Sequence, residues 1–187
     1  YKKVFKKLDG KPVTLRTLDI GSDKEVSENI KVGQIAKNPA LGLRGIRYSL
    51  NEKNIFKVQI KAMLRANQDG NLRILIPMIT TLDEIVKAKK LIEDAKGELE
   101  REKKTYNDKY QIGIMIEVPA SAIQANILCK YVDFMSIGTN DLVQYILAID
   151  RIDDEVTSLY DPTNPAGTKL LGKKTRLITF ENEWVDI

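Results

Sequence analysis

Histidine is absent from all 187 residues. That removes the side chain whose ordinary pKa lies nearest neutrality, the commonest general base, and any phosphohistidine within the chain. Cysteine is almost absent too. The single Cys129 excludes an internal disulfide and fits a reducing cytosol. Aromatic residues make up only 6%, and Lys and Arg are interspersed with Asp and Glu at a net charge of +4. The basic stripe with interleaved aromatics that reads nucleic acid is therefore missing. No apolar run approaches the ~20 residues of a membrane span. The opening Tyr1-Lys-Lys-Val-Phe-Lys-Lys-Leu8 has no apolar segment of the signal-peptide kind. These absences lead to the expectation of a cytoplasmic protein with no nucleic-acid partner and no membrane insertion.

What is present describes one domain with a substantial core: 43% hydrophobic and 30% charged residues over 187 positions. Tyr1, Val4, Phe5 and Leu8 recur at helical spacing and stop at Asp9-Gly10. Val13 to Thr17 reads as a strand, Leu18 to Lys24 as a loop, and Asn38 to Arg47 as a segment made irregular at its start by Pro39 and Gly42. Asn54 is expected to cap a helix from Ile55 to about Ala66, and Leu72 to Ile76 is the next strand, closed by Pro77.

Thr81 and Glu84 form a capping box ahead of an apolar stripe of Ile85, Val86, Ala88, Leu91, Ile92 and Ala95. Lys96 to Tyr110 reads as a solvated helical extension. A third strand at Ile112 to Ile116, a helix from about Ala120 to Lys130, and a fourth strand at Val132 to Ile137 complete the alternation. Near-continuous apolar strands alternating with helices mean parallel strands with crossover helices, buried on both faces. The pattern fits half of a repeating β/α barrel or an open doubly wound sheet.

Both folds place chemistry at the carboxyl ends of their strands. Those ends carry Arg16-Thr-Leu-Asp19, then Pro77-Met78, then Glu117, then Asn140-Asp141. Glu117 follows an apolar strand, so its carboxylate is either a ligand or one half of an ion pair with a buried arginine. Asp141 at the next strand end is available to share a metal with it. Two carboxylates with open positions suit Mg²⁺ better than zinc, which favours His or Cys. Arg16, Arg44 and Arg151 lie near these ends, and a guanidinium binds phosphate or carboxylate through a planar pair of donors. Each taken alone also reads as a surface or ion-pair residue. Cys129, Met115 and Met135 read as core residues.

The segments Arg16-Thr-Leu-Asp-Ile-Gly-Ser-Asp-Lys24, Asn38-Pro-Ala-Leu-Gly-Leu-Arg-Gly-Ile-Arg47, Leu72 to Met78, Glu117-Val-Pro-Ala120, and Gly138-Thr-Asn-Asp-Leu142 through Asp150-Arg151 carry a resemblance. In this combination and order the chain resembles the phosphoenolpyruvate-binding domain of enzyme I of the bacterial sugar phosphotransferase system, phosphoenolpyruvate-protein phosphotransferase. The resemblance covers about residues 1–166. It implies a partial TIM (β/α)8-type barrel of about four β/α units with parallel strands. It also implies that Glu117 and Asp141 ligate Mg²⁺, and that Asn140, Asp141, Arg16, Arg151, Arg44 and Lys24 line the phosphoenolpyruvate site. Pyruvate phosphate dikinase and phosphoenolpyruvate synthase share the Gly-Thr-Asn-Asp core. The Arg-Thr-Leu-Asp-Ile-Gly and Asp-Lys elements favour enzyme I, and no Gly-rich nucleotide loop is present.

The departures are as informative as the match. A barrel of this kind typically needs ~250 residues. The family's later Gly-Met-Cys-Gly-Glu strand, whose cysteine protonates the enolate, has no counterpart, and Cys129 does not match its context. The histidine that accepts the phosphoryl group belongs to a separate N-terminal domain in the family, and only through it would a histidine-containing phosphocarrier protein be reached. No catalytic residue is therefore assigned within the chain. Residues 167–187 are expected to be a divergent tail. A half barrel leaves strand edges and an apolar face uncovered, which points to a homodimer or a complementary chain. The alternative is a non-catalytic module that binds phosphoenolpyruvate or dimerises.

Overall fold

Four strands lie side by side in chain order, each parallel to the next. A computed structural model of the chain describes residues 1–20, 39–68, 70–167 and 169–170. The strands are β1 (Val13–Arg16), β2 (Leu72–Ile76), β3 (Tyr110–Ile116) and β4 (Phe134–Ile137). The helices are α1 (Lys2–Leu8), α2 (Ile46–Asn51), α3 (Lys53–Ala66), α4 (Leu82–Arg101), α5 (Pro119–Ile123), α6 (Ala125–Leu128) and α7 (Thr139–Leu147). Val13 pairs with Leu72, Leu72 with Tyr110, and Gly113 with Phe134. A doubly wound sheet reverses its order at a switch point. This one does not: the strands follow in sequence, as they do around a (β/α) barrel. The sheet is not closed. Among the described residues β1 bonds only to β2, and β4 only to β3.

The core forms where helical and strand periods meet. On α3, Phe56, Ile60, Met63 and Leu64 are buried; on α4, Ile85, Ala88, Ile92, Ala95 and Leu99. Both stripes face Ile74, Ile76 and Ile114 of the sheet, which are fully buried in one cluster with them. Val86, expected on this stripe, is exposed, because one residue of helical advance turns it away from Ile85. Gly113 exists to admit a ring. A Cβ there would lie 2.4 Å from the Phe134 ring on the neighbouring strand.

Helix boundaries differ from expectation where side chains take over from the backbone. The Thr81–Glu84 capping box is present in both directions. Asn54, by contrast, lies inside α3. Glu52 is the junction, donating its N–H to the Tyr48 carbonyl, so α2 runs directly into α3. The α3 helix ends at Ala66, and buried Asn67 then ties three elements together. Its Oδ1 accepts from the Leu72 N–H at 3.1 Å, and its Nδ2 donates to the Lys109 carbonyl at 2.7 Å.

The expected extension from Lys96 to Tyr110 is corrected. The helix stops at Arg101, Lys103 takes the left-handed conformation, and Tyr110 already opens β3. Nor is it uniformly solvated: Lys96 is packed against the Tyr110 ring and paired with Glu93 and Asp108. The expected helix from Ala120 to Lys130 is broken at Gln124, which bonds the Thr80 and Ala120 carbonyls. β4 starts two residues later than expected, since Asp133 uses its carboxylate to accept from the Ile112 N–H at 2.6 Å.

Glu98 links the two principal helices. Its carboxylate takes Lys57 of α3 at 2.5 Å and Lys61 at 3.0 Å. The hydrogen bond from Lys57, then that from Lys61, lowers its pKa to about 2. A depressed carboxylate contributes stability above its unfolded value near ~4.3 and loses it as pH falls through the folded value. We therefore expect the melting-temperature gap between the parent chain and Glu98→Gln to be largest near neutrality and to close between about pH 4.5 and 2. Thermal unfolding followed by circular dichroism checks this; a gap unchanged at the acid end would rule the linkage out.

Candidate functional site

The ends of β1, β3 and β4 deliver polar side chains to one mouth at their carboxyl side. A cavity of about 520 Å³ opens there, lined among others by Arg16, Asp19, Arg44, Glu117, Asn140, Asp141 and Arg151. Arg16 is the last residue of β1, Glu117 follows β3, and Asn140 and Asp141 sit in the first turn of α7 immediately after β4. Arg44 precedes α2 in the loop that begins after Pro39–Leu41.

Glu117 is buried, 1% exposed, and one of its oxygens accepts the Met78 backbone N–H at 2.6 Å. Met78 offers that N–H from a left-handed backbone, φ 61°, at the end of β2. Two glycines make the arrangement possible. Gly45 is itself left-handed, and a Cβ on it would sit 2.7 Å from the Met78 side chain. A Cβ on Gly138 would lie 2.6 Å from the Glu117 Cβ and 2.7 Å from its Oε2. Burial pushes the Glu117 carboxyl up to about 7. The Met78 N–H opposes that rise, Asp19 and Asp141 add repulsion, and Arg44 pulls the other way. Among the described residues Glu117 forms no direct ion pair.

The remaining charges form a connected chain. Arg44 grips Asp19 with two bonds, Nε to Oδ1 at 3.2 Å and Nη2 to Oδ2 at 3.1 Å. The same Nη2 donates to Asp141 Oδ2 at 3.2 Å, and Nη1 reaches the Tyr145 hydroxyl at 3.5 Å. Four of the five guanidinium N–H donors of Arg44 are thus committed. Burial acts against its charge, but Asp19 and then Asp141 more than offset it and raise its pKa. Arg151 bonds the other oxygen of Asp141 through Nη2. Arg16 is looser, with a half-exposed side chain, 3.7 Å from Asp19 and 3.9 Å from the Met115 sulfur.

The structure therefore brings together Arg16, Arg44, Glu117, Asn140, Asp141 and Arg151, which the sequence nominates separately. Lys24 lies outside the described residues. Asp19, Gln144 and Tyr145 were not nominated, although all three hold site residues. A signal for two of them was available: Gln144 and Tyr145 stand three and four residues after Asp141, on the same face of a helix that begins at Thr139.

Arginines and carboxylates converge at the strand ends of this parallel β/α domain, the place where such folds carry their chemistry. A family model described as "PEP-utilising enzyme, PEP-binding domain", PEP being phosphoenolpyruvate, matches residues 1–187, and the chain belongs to that family. Three similar proteins are named phosphoenolpyruvate-protein phosphotransferase. The protein from Latilactobacillus sakei is 46% identical over 184 residues, that from Priestia megaterium 43% over 185, and that from Bacillus subtilis 43% over 187. The alignments cover 98–99% of this chain and 32% of each relative's length.

The close approach at Gly138 is testable by itself. An alanine is ordinarily tolerated at an extended φ and tends to stabilise. Here its methyl would drive into Glu117, so we expect Gly138→Ala to lower stability by about 1–3 kcal/mol, the usual range for an overpacked site. Urea unfolding measures it, and a variant as stable as its parent would refute the contact.

Proposed function

We propose that this domain binds phosphoenolpyruvate at the strand-end cavity and serves as the substrate-binding part of a phosphoenolpyruvate-protein phosphotransferase. The observation that carries the reading is the convergence of Arg16, Arg44 and Arg151 with Glu117, Asn140 and Asp141 in one cavity. The family match and the names of the relatives support it. Among the described residues Arg16 and Arg151 keep uncommitted N–H donors for the phosphate and carboxylate of the substrate, and Asn140 adds an amide. Lys24, next along the same strand-end loop in sequence, is proposed to join them.

Glu117 and Asp141 are proposed to hold Mg²⁺. The donor set fits: both are hard oxygen ligands, and the second oxygen of Glu117 takes no hydrogen bond among the described residues. No cluster of three or more His, Cys, Asp or Glu side chains suited to a metal occurs there, so the rest of the shell would be water and substrate, as Mg²⁺ prefers. When bound, the ion would neutralise charge gathering on the phosphoryl and enolate oxygens. The chain itself orients the substrate: the arginines fix the phosphoryl group for in-line transfer. The phosphoryl acceptor in this reading is a histidine outside these 187 residues, since the chain contains none. Through it, transfer would lead on to a histidine-containing phosphocarrier protein. No described helix is long and apolar enough to cross a membrane, which accords with a proposed cytoplasmic location.

Calorimetry tests the binding step. Titrating phosphoenolpyruvate into the chain with Mg²⁺ should release heat, and Arg151→Ala or Glu117→Ala should weaken binding at least tenfold, the loss of one charge-assisted contact. Absence of heat with the parent chain would end this reading.

A second feature supports association with another chain, either a second copy or a complementary one. The sheet has two open edges among the described residues, and Tyr1, just before α1, stands exposed with Val4 and Leu8 of α1 around the one buried residue of that helix, Phe5. Exposed edges and contiguous apolar side chains favour pairing. Light scattering at micromolar concentration should give a mass above the 21.2 kDa of one chain; a strictly monomeric solution would exclude self-pairing.

A further inference from the structure

We propose that Gln144 is a positioning residue for the anion site: it fixes the Arg151 guanidinium so that the Nη1 side of its donor fork is left for the ligand. Gln144 lies on α7, 7% exposed, one turn beyond Asp141. Its Oε1 accepts twice from Arg151, from the backbone N–H at 3.1 Å and from Nε at 3.0 Å. The Nη2 group of the same guanidinium bonds Asp141. Nε and Nη2 share the lateral edge of the planar group, so two partners on one helix set both its position and its plane. The Tyr160 ring faces the guanidinium, its centroid 6.0 Å from the central carbon, at the outer limit of a cation–π contact. Nη1 has no hydrogen-bond partner among the described residues, and Arg151 lines the cavity.

The contrast with Arg44 identifies the role. Arg44 is held by carboxylates, which consume its donors and its charge together. Arg151 gives one edge to a neutral amide and one bond to a carboxylate, so more of its positive charge stays available. An amide is the suitable holder because one more carboxylate beside Asp19, Glu117, Asp141 and Asp150, which already line the cavity, would repel an anion. A long, flexible arginine otherwise loses rotamer freedom on binding, and prior ordering removes part of that cost. This role rests on the phosphoenolpyruvate reading for the identity of the ligand, but not for the geometry.

The test separates the two. In the ¹⁵N-labelled chain, the Arg151 Nε–H signal, assigned through Arg151→Lys, should be resolved and slow to exchange. It should persist in Gln144→Glu, which keeps the acceptor, and merge with the signals of solvent-exposed arginines in Gln144→Met, which lacks it. Calorimetry with phosphoenolpyruvate and Mg²⁺ should show both variants binding about tenfold or more weakly, Gln144→Met through lost order and Gln144→Glu through added charge. An Arg151 signal unchanged in Gln144→Met overturns the proposal. If that variant does not fold, the parent decides: exchange at the rate of a free arginine side chain overturns it, and protected exchange supports it. Wild-type chain that gives no heat overturns the phosphoenolpyruvate reading, while the exchange measurement still judges Gln144.

Discussion

Asp141 is the joint on which the site depends. One of its oxygens holds Arg44 and the other holds Arg151, with only 12% of the side chain exposed. Those arginines come from distant parts of the chain, one before α2 and one after α7, and no backbone hydrogen bond of the sheet connects them. Removing one partner from a buried ion pair typically costs about 3–5 kcal/mol, because the charge left behind has lost its water and gained nothing in return. The site is thus stable only as a set. Asp19 extends the same logic to the β1 end, so one run of alternating charges, Asp19 to Arg44 to Asp141 to Arg151, stitches β1 to α7 across the open face of the sheet.

Beneath this run lies a backbone constraint. Glu117 takes no side-chain hydrogen bond among the described residues, and the Met78 N–H serves it from a left-handed backbone. A left-handed non-glycine residue is a local strain that persists where neighbours over-determine it. Gly45 packs against the Met78 side chain at a distance no Cβ could share, and Gly138 does the same on the far side of Glu117. The two glycines and the strained methionine are therefore one device. It turns three strand ends into a socket for a single carboxylate.

Much of this was legible in the residues. Apolar runs bounded by Pro77, Glu117 and Gly138 located β2, β3 and β4, and the Thr81–Glu84 box fixed the start of α4 to the residue. Strand-end position brought out Arg16, Glu117, Asn140 and Asp141. What escaped is what depends on contacts distant in sequence. Nothing local marks α2, since Gly45 discourages a helix and its reason for being there is Met78, more than thirty residues away. The end of α4 depends on where β3 must begin, and the charged composition of that stretch reads as helix until Lys103 reverses the chain. Gln144, for which the spacing from Asp141 is the available signal, escaped for a different reason. A polar residue on the first turns of an amphipathic helix reads as solvent-facing, and only the return of the chain at Arg151 buries it.

The charges also limit what the site can hold. Three arginines face four carboxylates, Asp19, Glu117, Asp141 and Asp150, and Arg44 is spent almost wholly on Asp19 and Asp141. A substrate bearing both a phosphate and a carboxylate would meet a cavity with no net positive charge of its own. Burial already resists a negative Glu117, to the point of a pKa of about 7, and a nearby anion would resist it further. Arginine alone does not resolve this, because the two guanidiniums with free donors are the more exposed and the more screened. A divalent cation between Glu117, Asp141 and the ligand would, since it lowers the energy of both carboxylates and the anion at once. The same electrostatics that make Glu117 uncomfortable in the free chain therefore favour the proposed Mg²⁺ and substrate entering together, each weakening the site's objection to the other.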